Sequence, residues 1–235
     1  MPDNTVAVYY ELSIVDFFQD EAFYWSLLDA DEQAIALRFA TVLLRQRYVV
    51  NHGLLRLILA QYVEDSAVDL VFKKTEWGKP FLYDYPQVSF NLSHSGDCFA
   101  LAVSKDCQLG IDIECYKPRQ GYEGLVKRCF ATEEANAWYD LPDEERGLSF
   151  YRYWVKKEAF VKAVGKGITV GLNQCVIDSD YPQRFLKIPI EYGAAEHWTI
   201  DFLEKDDVLM AVVCDKQALA VTYQLVSTCN DYLQA

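Results

Sequence analysis

Leu109-Gly110-Ile111-Asp112-Ile113-Glu114 alternates apolar and acidic residues, the period of a β-strand with one face in a core. Residues i and i+2 of a strand face the same side about 6 to 7 Å apart. Ile111 and Ile113 are therefore expected in the core, with Asp112 and Glu114 side by side on the other face. Two adjacent carboxylates repel unless a cation lies between them, and oxygen-only ligation selects a hard ion, Mg²⁺ or Mn²⁺, over zinc. An edge strand with a solvated acidic face would read the same way, so both alternatives stand on this stretch alone.

Working outward, Trp154-Val155-Lys156-Lys157-Glu158-Ala159-Phe160-Val161-Lys162-Ala163-Val164-Gly165-Lys166-Gly167 reads as a helix ended by its glycines. Val155, Ala159 and Ala163 form one i, i+4 stripe, and Trp154, Glu158 and Lys162 form its neighbour. Glu158 and Lys162 match a common surface pair. Against that, four lysines fall between residues 156 and 166 of an otherwise acidic chain, a cluster suited to a polyphosphate. Upstream, Phe90-Asn91-Leu92-Ser93-His94-Ser95-Gly96 is a strand running into a polar turn, whose hydroxyls, imidazole and amides can hold a phosphate. Gly78-Lys79-Pro80-Phe81 places a lysine in a rigid turn.

Further β-type runs lie at 68–72, 88–92 and 98–103, and in the tail at 188–192, 198–203, 208–213 and 218–225, with 204–207 as a hairpin turn. Helical spacing covers 31–62, although Gly53 interrupts it, then 124–139 and 148–164. Helix, strands, helices, strands is an α+β order. Each half has a helical part followed by strands, so two similar subdomains meeting near residue 110 are expected.

The chain has 235 residues, 22 Lys+Arg and 35 Asp+Glu, a formal charge of −13. That excludes a general nucleic-acid binder, which needs a net basic face. Composition, at 51% hydrophobic and 24% charged, is that of a globular protein able to bury a core. No apolar run is long enough to span a membrane. Met1-Pro2-Asp3-Asn4 lacks the basic start of a secretory signal, so a cytoplasmic protein is expected. Seven cysteines, no two closer than eight residues, exclude CxxC motifs and suggest reduced, mostly buried thiols. With only three histidines a histidine-based metal site is not expected. Charge is unevenly spread: residues 1–37 hold eight acids and no Lys or Arg, whereas residues 33–63 hold Arg38, Arg45, Arg47 and Arg56 and no acid. The arginines either serve an anionic ligand or bridge to the acidic N-terminal segment. Asp143-Glu144-Glu145 is expected in a solvated loop.

The elements GKPFL, FNLSHS, LGIDIE, Phe130-x-x-x-Glu134 and WxxKEAxxKAxGKG occur in this order over residues 78–167. Together they resemble the 4′-phosphopantetheinyl transferase superfamily, specifically its large monomeric surfactin-type class. The resemblance implies a pseudo-dimer of two α+β subdomains, 1–109 and 110–235, with the active site at their interface. It implies transfer of the phosphopantetheine arm of coenzyme A to a serine of an apo acyl, peptidyl or polyketide carrier protein, with release of adenosine 3′,5′-bisphosphate. Matching positions make Asp112, Glu114 and Glu158 ligands of Mg²⁺, with Mn²⁺ as a substitute, and Glu158 the acceptor of the serine proton, directly or through water. They assign Lys162 and Lys157 to the pyrophosphate, and Lys79, Ser93, His94 and Arg47 to the 3′-phosphate and adenosine end. A monomer is implied, with no nucleic-acid or membrane partner. Carrier proteins of this class are commonly acidic, so an enzyme this acidic should dock them through a local basic or apolar patch. Phe130 and the loop around Tyr122 are candidates for that grip. The competing readings are a non-catalytic coenzyme A or carrier-protein binder and a Mg²⁺-dependent nuclease or phosphatase.

Overall fold

The computed structural model describes residues 5–217 and 220–228. The first half runs through β1 (Thr5–Glu11), α1 (Glu21–Leu27), α2 (Ala30–Ala36), α3 (Val42–Val63), β2 (Phe72–Lys74), β3 (Pro80–Leu82), β4 (Ser89–Ser95) and β5 (Cys98–Ser104). The second half repeats that order as β6 (Leu109–Cys115), α4 (Tyr122–Cys129), α5 (Thr132–Tyr139), α6 (Asp143–Val164), β7 (Val176–Ile177), β8 (Phe185–Lys187), β9 (Thr199–Lys205) and β10 (Val208–Cys214). Each half is a strand, two short helices, one 22-residue helix, a two-stranded ladder and a hairpin. In the sheets β5 lies between β1 and β4, and β10 between β6 and β9, all antiparallel. The expected pseudo-dimer of α+β units is thus repeated in topology as well as in element order.

One strand departs from the expected division at residue 110. β11 (Ala220–Leu225) pairs parallel with β1, from Thr5 against Ala220 to Tyr10 against Leu225, so the chain returns to the first half's sheet. The outer edge of β1 would otherwise present unpaired amides and carbonyls. β1 itself escapes an alternation test, because six of its seven residues are buried on both faces.

The two sheets pack face to face and the long helices cover their outer sides, four layers in all. Between the sheets lie Val6, Val8, Ala100, Ala102, Ile111, Ile113, Met210 and Val212, so the isoleucines of the opening stretch are in the core as expected. α3 covers the first sheet and α6 the second.

Several local expectations change. The stretch 31–62 splits at residues 37–41, but Gly53 sits inside a continuous α3: a Cβ there would come within 2.6 Å of the Tyr24 ring of α1. The stretch 124–139 forms two helices, and Glu134 caps the second by accepting the Ala131 amide at 2.8 Å. Residues 190–192 form a single 3₁₀ turn rather than a strand. Asp143, Glu144 and Glu145 make the first turn of α6, where negative charge complements the helix dipole. The Cys98 and Cys115 sulfurs meet across the two halves, and Cys107, Cys129, Cys175 and Cys214 are free and buried. Cys229 lies outside the described residues.

Candidate active site

β4 and β6 are edge strands that meet without a backbone ladder. Side chains replace it. Asn91, Ser93 and Ser95, spaced two apart and hence on one face of β4, accept the amides of Ile111 (2.9 Å), Ile113 (3.3 Å) and Cys115 (3.5 Å) of β6. Buried amides need such partners. Two of these side chains also turn toward the acids between the amides: Ser93 Oγ donates to Asp112 Oδ1 at 3.0 Å, and Ser95 Oγ to Glu114 Oε2 at 2.7 Å. The FNLSHS stretch therefore sets both the register between the halves and the orientation of the carboxylates.

α6 is pressed against β6 at Gly110, where a Cβ would lie 2.2 Å from the Ala159 carbonyl oxygen and 2.3 Å from the Ala163 nitrogen. The buried Val155, Ala159, Ala163 stripe makes this approach possible. It carries the neighbouring stripe to the acids. Lys162 Nζ donates to Asp112 Oδ1 at 2.6 Å and to Ser93 Oγ at 2.8 Å, which completes the one-donor, two-acceptor capacity of that hydroxyl. Asp112, Glu114, Glu158 and Lys162 line one pocket of about 280 Å³ together with His94. Asp112 Oδ2 is buried and meets no hydrogen-bond donor among the described residues.

The electrostatics follow from this crowding. Burial pushes the Asp112 carboxyl up to about 6, against the pull of Lys162. Burial and then the Asp112 charge push Glu158 up to about 7. Loss of water, followed by the positive charge of Lys162, holds His94 below the ordinary imidazole range. Among the described residues, no three acidic, histidine or cysteine side chains are gathered closely enough to grip an ion as they stand.

The small pocket adjoins a cleft of about 840 Å³, with Leu92 and His94 in the wall of both. Arg38, Lys73 and Lys74 put positive charge around it beside the carboxylates of Asp29, Asp31 and Glu32, and Tyr48 and Phe72 supply aromatic faces. A volume of this size accommodates a nucleotide-sized ligand.

The sequence agrees with known proteins over most of its length. Residues 108–221 match the model of the 4′-phosphopantetheinyl transferase superfamily, and residues 18–106 match that of the 4′-phosphopantetheinyl transferase N-terminal region. The 4′-phosphopantetheinyl transferase HetI of a Nostoc species is 40% identical over 189 residues, 79% of this chain and 77% of that one. The 4′-phosphopantetheinyl transferase psf-1 of Bacillus pumilus is 29% identical over 204 residues, 86% and 85% of the two chains. The 4′-phosphopantetheinyl transferase Sfp of Bacillus subtilis is 32% identical over 127 residues, 54% and 55%. The chain belongs to the 4′-phosphopantetheinyl transferase superfamily.

Of the site residues expected for a 4′-phosphopantetheinyl transferase, Asp112, Glu114, Glu158, Lys162 and His94 converge on one pocket. The others lie differently. Ser93 also lines this pocket, but it is 4% exposed and its hydroxyl is held by Asp112, Ile113 and Lys162. Lys157 is fully buried. It donates to Glu134 Oε2 at 2.6 Å and to the carbonyls of Leu172 (2.9 Å) and Cys175 (2.5 Å), and it does not line the pocket. Lys79 Nζ donates to the carbonyls of Leu109 (2.8 Å) and Ala163 (2.7 Å), fastening the end of α6 to the start of β6. Arg47 is outside the cleft wall and donates to Asp97 at 2.7 Å in the β4–β5 turn. Phe130 is buried beneath Lys157 and unavailable to a carrier. The arginine-rich segment chiefly bridges to acids: Arg45 to Glu21, and the fully buried Arg56 to Glu32 and Asp29. In the lysine cluster, Lys156 covers Phe202 and Lys166 covers Tyr192, which leaves Lys162 as its one member beside the acids. Ser95 and Asn91 were not singled out as site residues by sequence, although their two-residue spacing with Ser93 was the available signal.

Proposed function

We propose that this transferase moves the 4′-phosphopantetheine arm of coenzyme A onto a serine of an apo acyl or peptidyl carrier protein. The reading is carried by the convergence of Asp112, Glu114, Glu158 and Lys162 in a pocket continuous with a nucleotide-sized cleft. The serine oxygen attacks the β-phosphorus, the bond to the oxygen bridging the two phosphates breaks, and adenosine 3′,5′-bisphosphate leaves. Glu158, raised toward neutrality by its surroundings, accepts the serine proton. Lys162, anchored on Asp112 and Ser93, directs its positive charge at the pyrophosphate. The cleft walls orient the nucleotide so that the reaction becomes one of positioning.

Asp112, Glu114 and Glu158 would hold Mg²⁺ or Mn²⁺. The all-oxygen donor set suits a hard cation, and the unpartnered, buried Asp112 Oδ2 is a ligand atom in want of one. When bound, such an ion supplies neutralisation of the pyrophosphate charge. We further propose that the protein acts as a cytoplasmic monomer; no helix among the described residues is long and apolar enough to cross a membrane.

Incubation with coenzyme A, Mg²⁺ and an apo carrier protein should yield the phosphopantetheine adduct by intact mass. Asp112→Ala should abolish it while the fold persists. Nucleotide hydrolysis without an adduct would replace the transferase reading with a hydrolase, and binding without either would replace it with a binding module.

A further inference from the structure

Cys98 opens β5 and Cys115 ends β6, and their sulfurs meet across the seam between the two halves. They are 17 positions apart in sequence, so no short motif announces the pair. Each sulfur also has a carbonyl beside it: Cys98 Sγ lies 3.3 Å from the Leu12 oxygen, and Cys115 Sγ 3.3 Å from the Ser95 oxygen. As thiols both therefore have an acceptor, and as neighbours they are one bond away from a disulfide. Cys107 and Cys214 also adjoin, but both are buried. Cys115 is half-buried, which gives its pair an open side.

The two cysteines flank Ser95. Cys98 faces it across the turn of the β4–β5 hairpin, and Cys115 gives its amide to the Ser95 hydroxyl at 3.5 Å. That same hydroxyl donates to Glu114 Oε2 at 2.7 Å, and Glu114 precedes Cys115 in the chain. The Cα atoms of Cys98 and Cys115 are 7.2 Å apart, whereas a disulfide usually spans about 4.4–6.8 Å between them. Closing the bond therefore draws Cys115 toward the hairpin, and Glu114 with it. A hydrogen bond of 2.7 Å is weakened by compression and by stretching alike, so either displacement disturbs the alignment of this carboxylate.

We propose that Cys98 and Cys115 are an oxidation site: a low-molecular-weight disulfide converts the two thiols into a reversible bond between the halves, which displaces Glu114 and weakens the hold of the acidic pocket on a divalent cation. The Cys115 thiolate attacks one sulfur of the small disulfide, whose S–S bond breaks and expels the first thiolate. Cys98, after giving its proton to water, attacks the Cys115 sulfur and expels the second. The protein loses two protons and two electrons, and the small disulfide is reduced to two thiols. A disulfide formed in this way in a reducing compartment is transient and redox-sensing. The crosslink is independent of the transferase reading, and its effect on the cation rests on the metal ligands proposed there.

The test incubates the full chain with glutathione disulfide, blocks the remaining thiols by alkylation and maps the peptides by mass, with Mn²⁺ binding followed by electron paramagnetic resonance on parallel unalkylated samples. A linked pair of peptides carrying Cys98 and Cys115 is expected, two hydrogens lighter than the thiols and separated again by dithiothreitol. Mn²⁺ affinity should fall about tenfold on oxidation, as for the loss of one hydrogen bond to a charged group, and return on reduction. Cys98→Ala should form no crosslink, carry glutathione on Cys115 and, while reduced, bind Mn²⁺ as the unsubstituted chain does. No crosslink, or one confined to Cys107 and Cys214, overturns the inference, as does a crosslinked chain with the Mn²⁺ affinity of the reduced one. A reduced chain that binds no Mn²⁺ overturns it through the metal ligands. Crosslinking with its Mn²⁺ response, in a chain that transfers nothing to a carrier, would leave the inference standing and remove the transferase reading.

Discussion

Ser95 Oγ donates to Glu114 Oε2 at 2.7 Å while accepting the Cys115 amide at 3.5 Å, so one hydroxyl of the first half orients an acid of the second. A hydrogen bond to a charged group contributes about 1.5–3 kcal/mol. Ser95→Ala should therefore raise the Mg²⁺ concentration for half-maximal transfer by about tenfold, with a smaller effect on kcat. Mn²⁺ binding followed by electron paramagnetic resonance, without turnover, should weaken in parallel, and Ser95→Thr should restore it. Unaltered Mn²⁺ affinity in Ser95→Ala would show that Glu114 does not depend on this hydroxyl.

Gly110 lets α6 touch β6. Since an added Cβ would lie 2.2 Å from the Ala159 carbonyl oxygen, Gly110→Ala should lift the helix from the strand. A loss of about 1–3 kcal/mol in chemical denaturation is expected. The displacement moves Lys162 away from Asp112, so activity should fall further than the folded fraction does. A variant of native stability and activity would mean that the helix can yield freely.

Lys157 and Lys162 are five residues apart on one helix and should fail in opposite ways. Lys157→Met leaves Glu134 buried without its partner and should cost about 3–5 kcal/mol of stability, while any folded enzyme keeps its coenzyme A KM. Lys162→Met, at a partly exposed site, should keep the fold and lose transfer. Denaturation midpoints beside single-turnover rates separate the two, and an inactive but fully stable Lys157→Met would restore that residue to the site.

Burial lowers the Lys79 ammonium from 10.5 to about 8. The unfolded chain then binds more protons at this position between those values, so the Lys79 contribution to stability rises with pH across that window. Relative to Lys79→Met, the unsubstituted chain should gain about 2 kcal/mol from pH 8 to 10 in urea titrations. A gap that stays level or narrows would mean that the ammonium is not penalised in the fold.

Much of the architecture was readable locally. The 109–114 alternation has the strand period, and its isoleucines are in the core because β6 is covered on both faces. The Val155, Ala159, Ala163 stripe showed which side of α6 would be buried, and hence which side would carry Glu158 and Lys162. The parallel return of β11 to β1 was not readable, because it joins residues more than 200 positions apart and no local pattern encodes a partner at that distance. Lysines deceived for a related reason. Lys79, Lys157 and Lys162 are equivalent as letters, yet they face two carbonyls, a buried glutamate, and the acidic pocket.

The sequence by itself determined the family, the α+β class and the identity of the acids, since these depend on residue types at short, fixed spacings that a strand or a helix converts directly into a shared face. Tertiary structure alone decided which cations reach those acids, how Asn91, Ser93 and Ser95 join the halves, and that Cys98 meets Cys115. Those outcomes depend on which surfaces meet. A charge that finds a carboxylate or carbonyl first is lost to the ligand, and two thiols react with each other only where the fold brings them together.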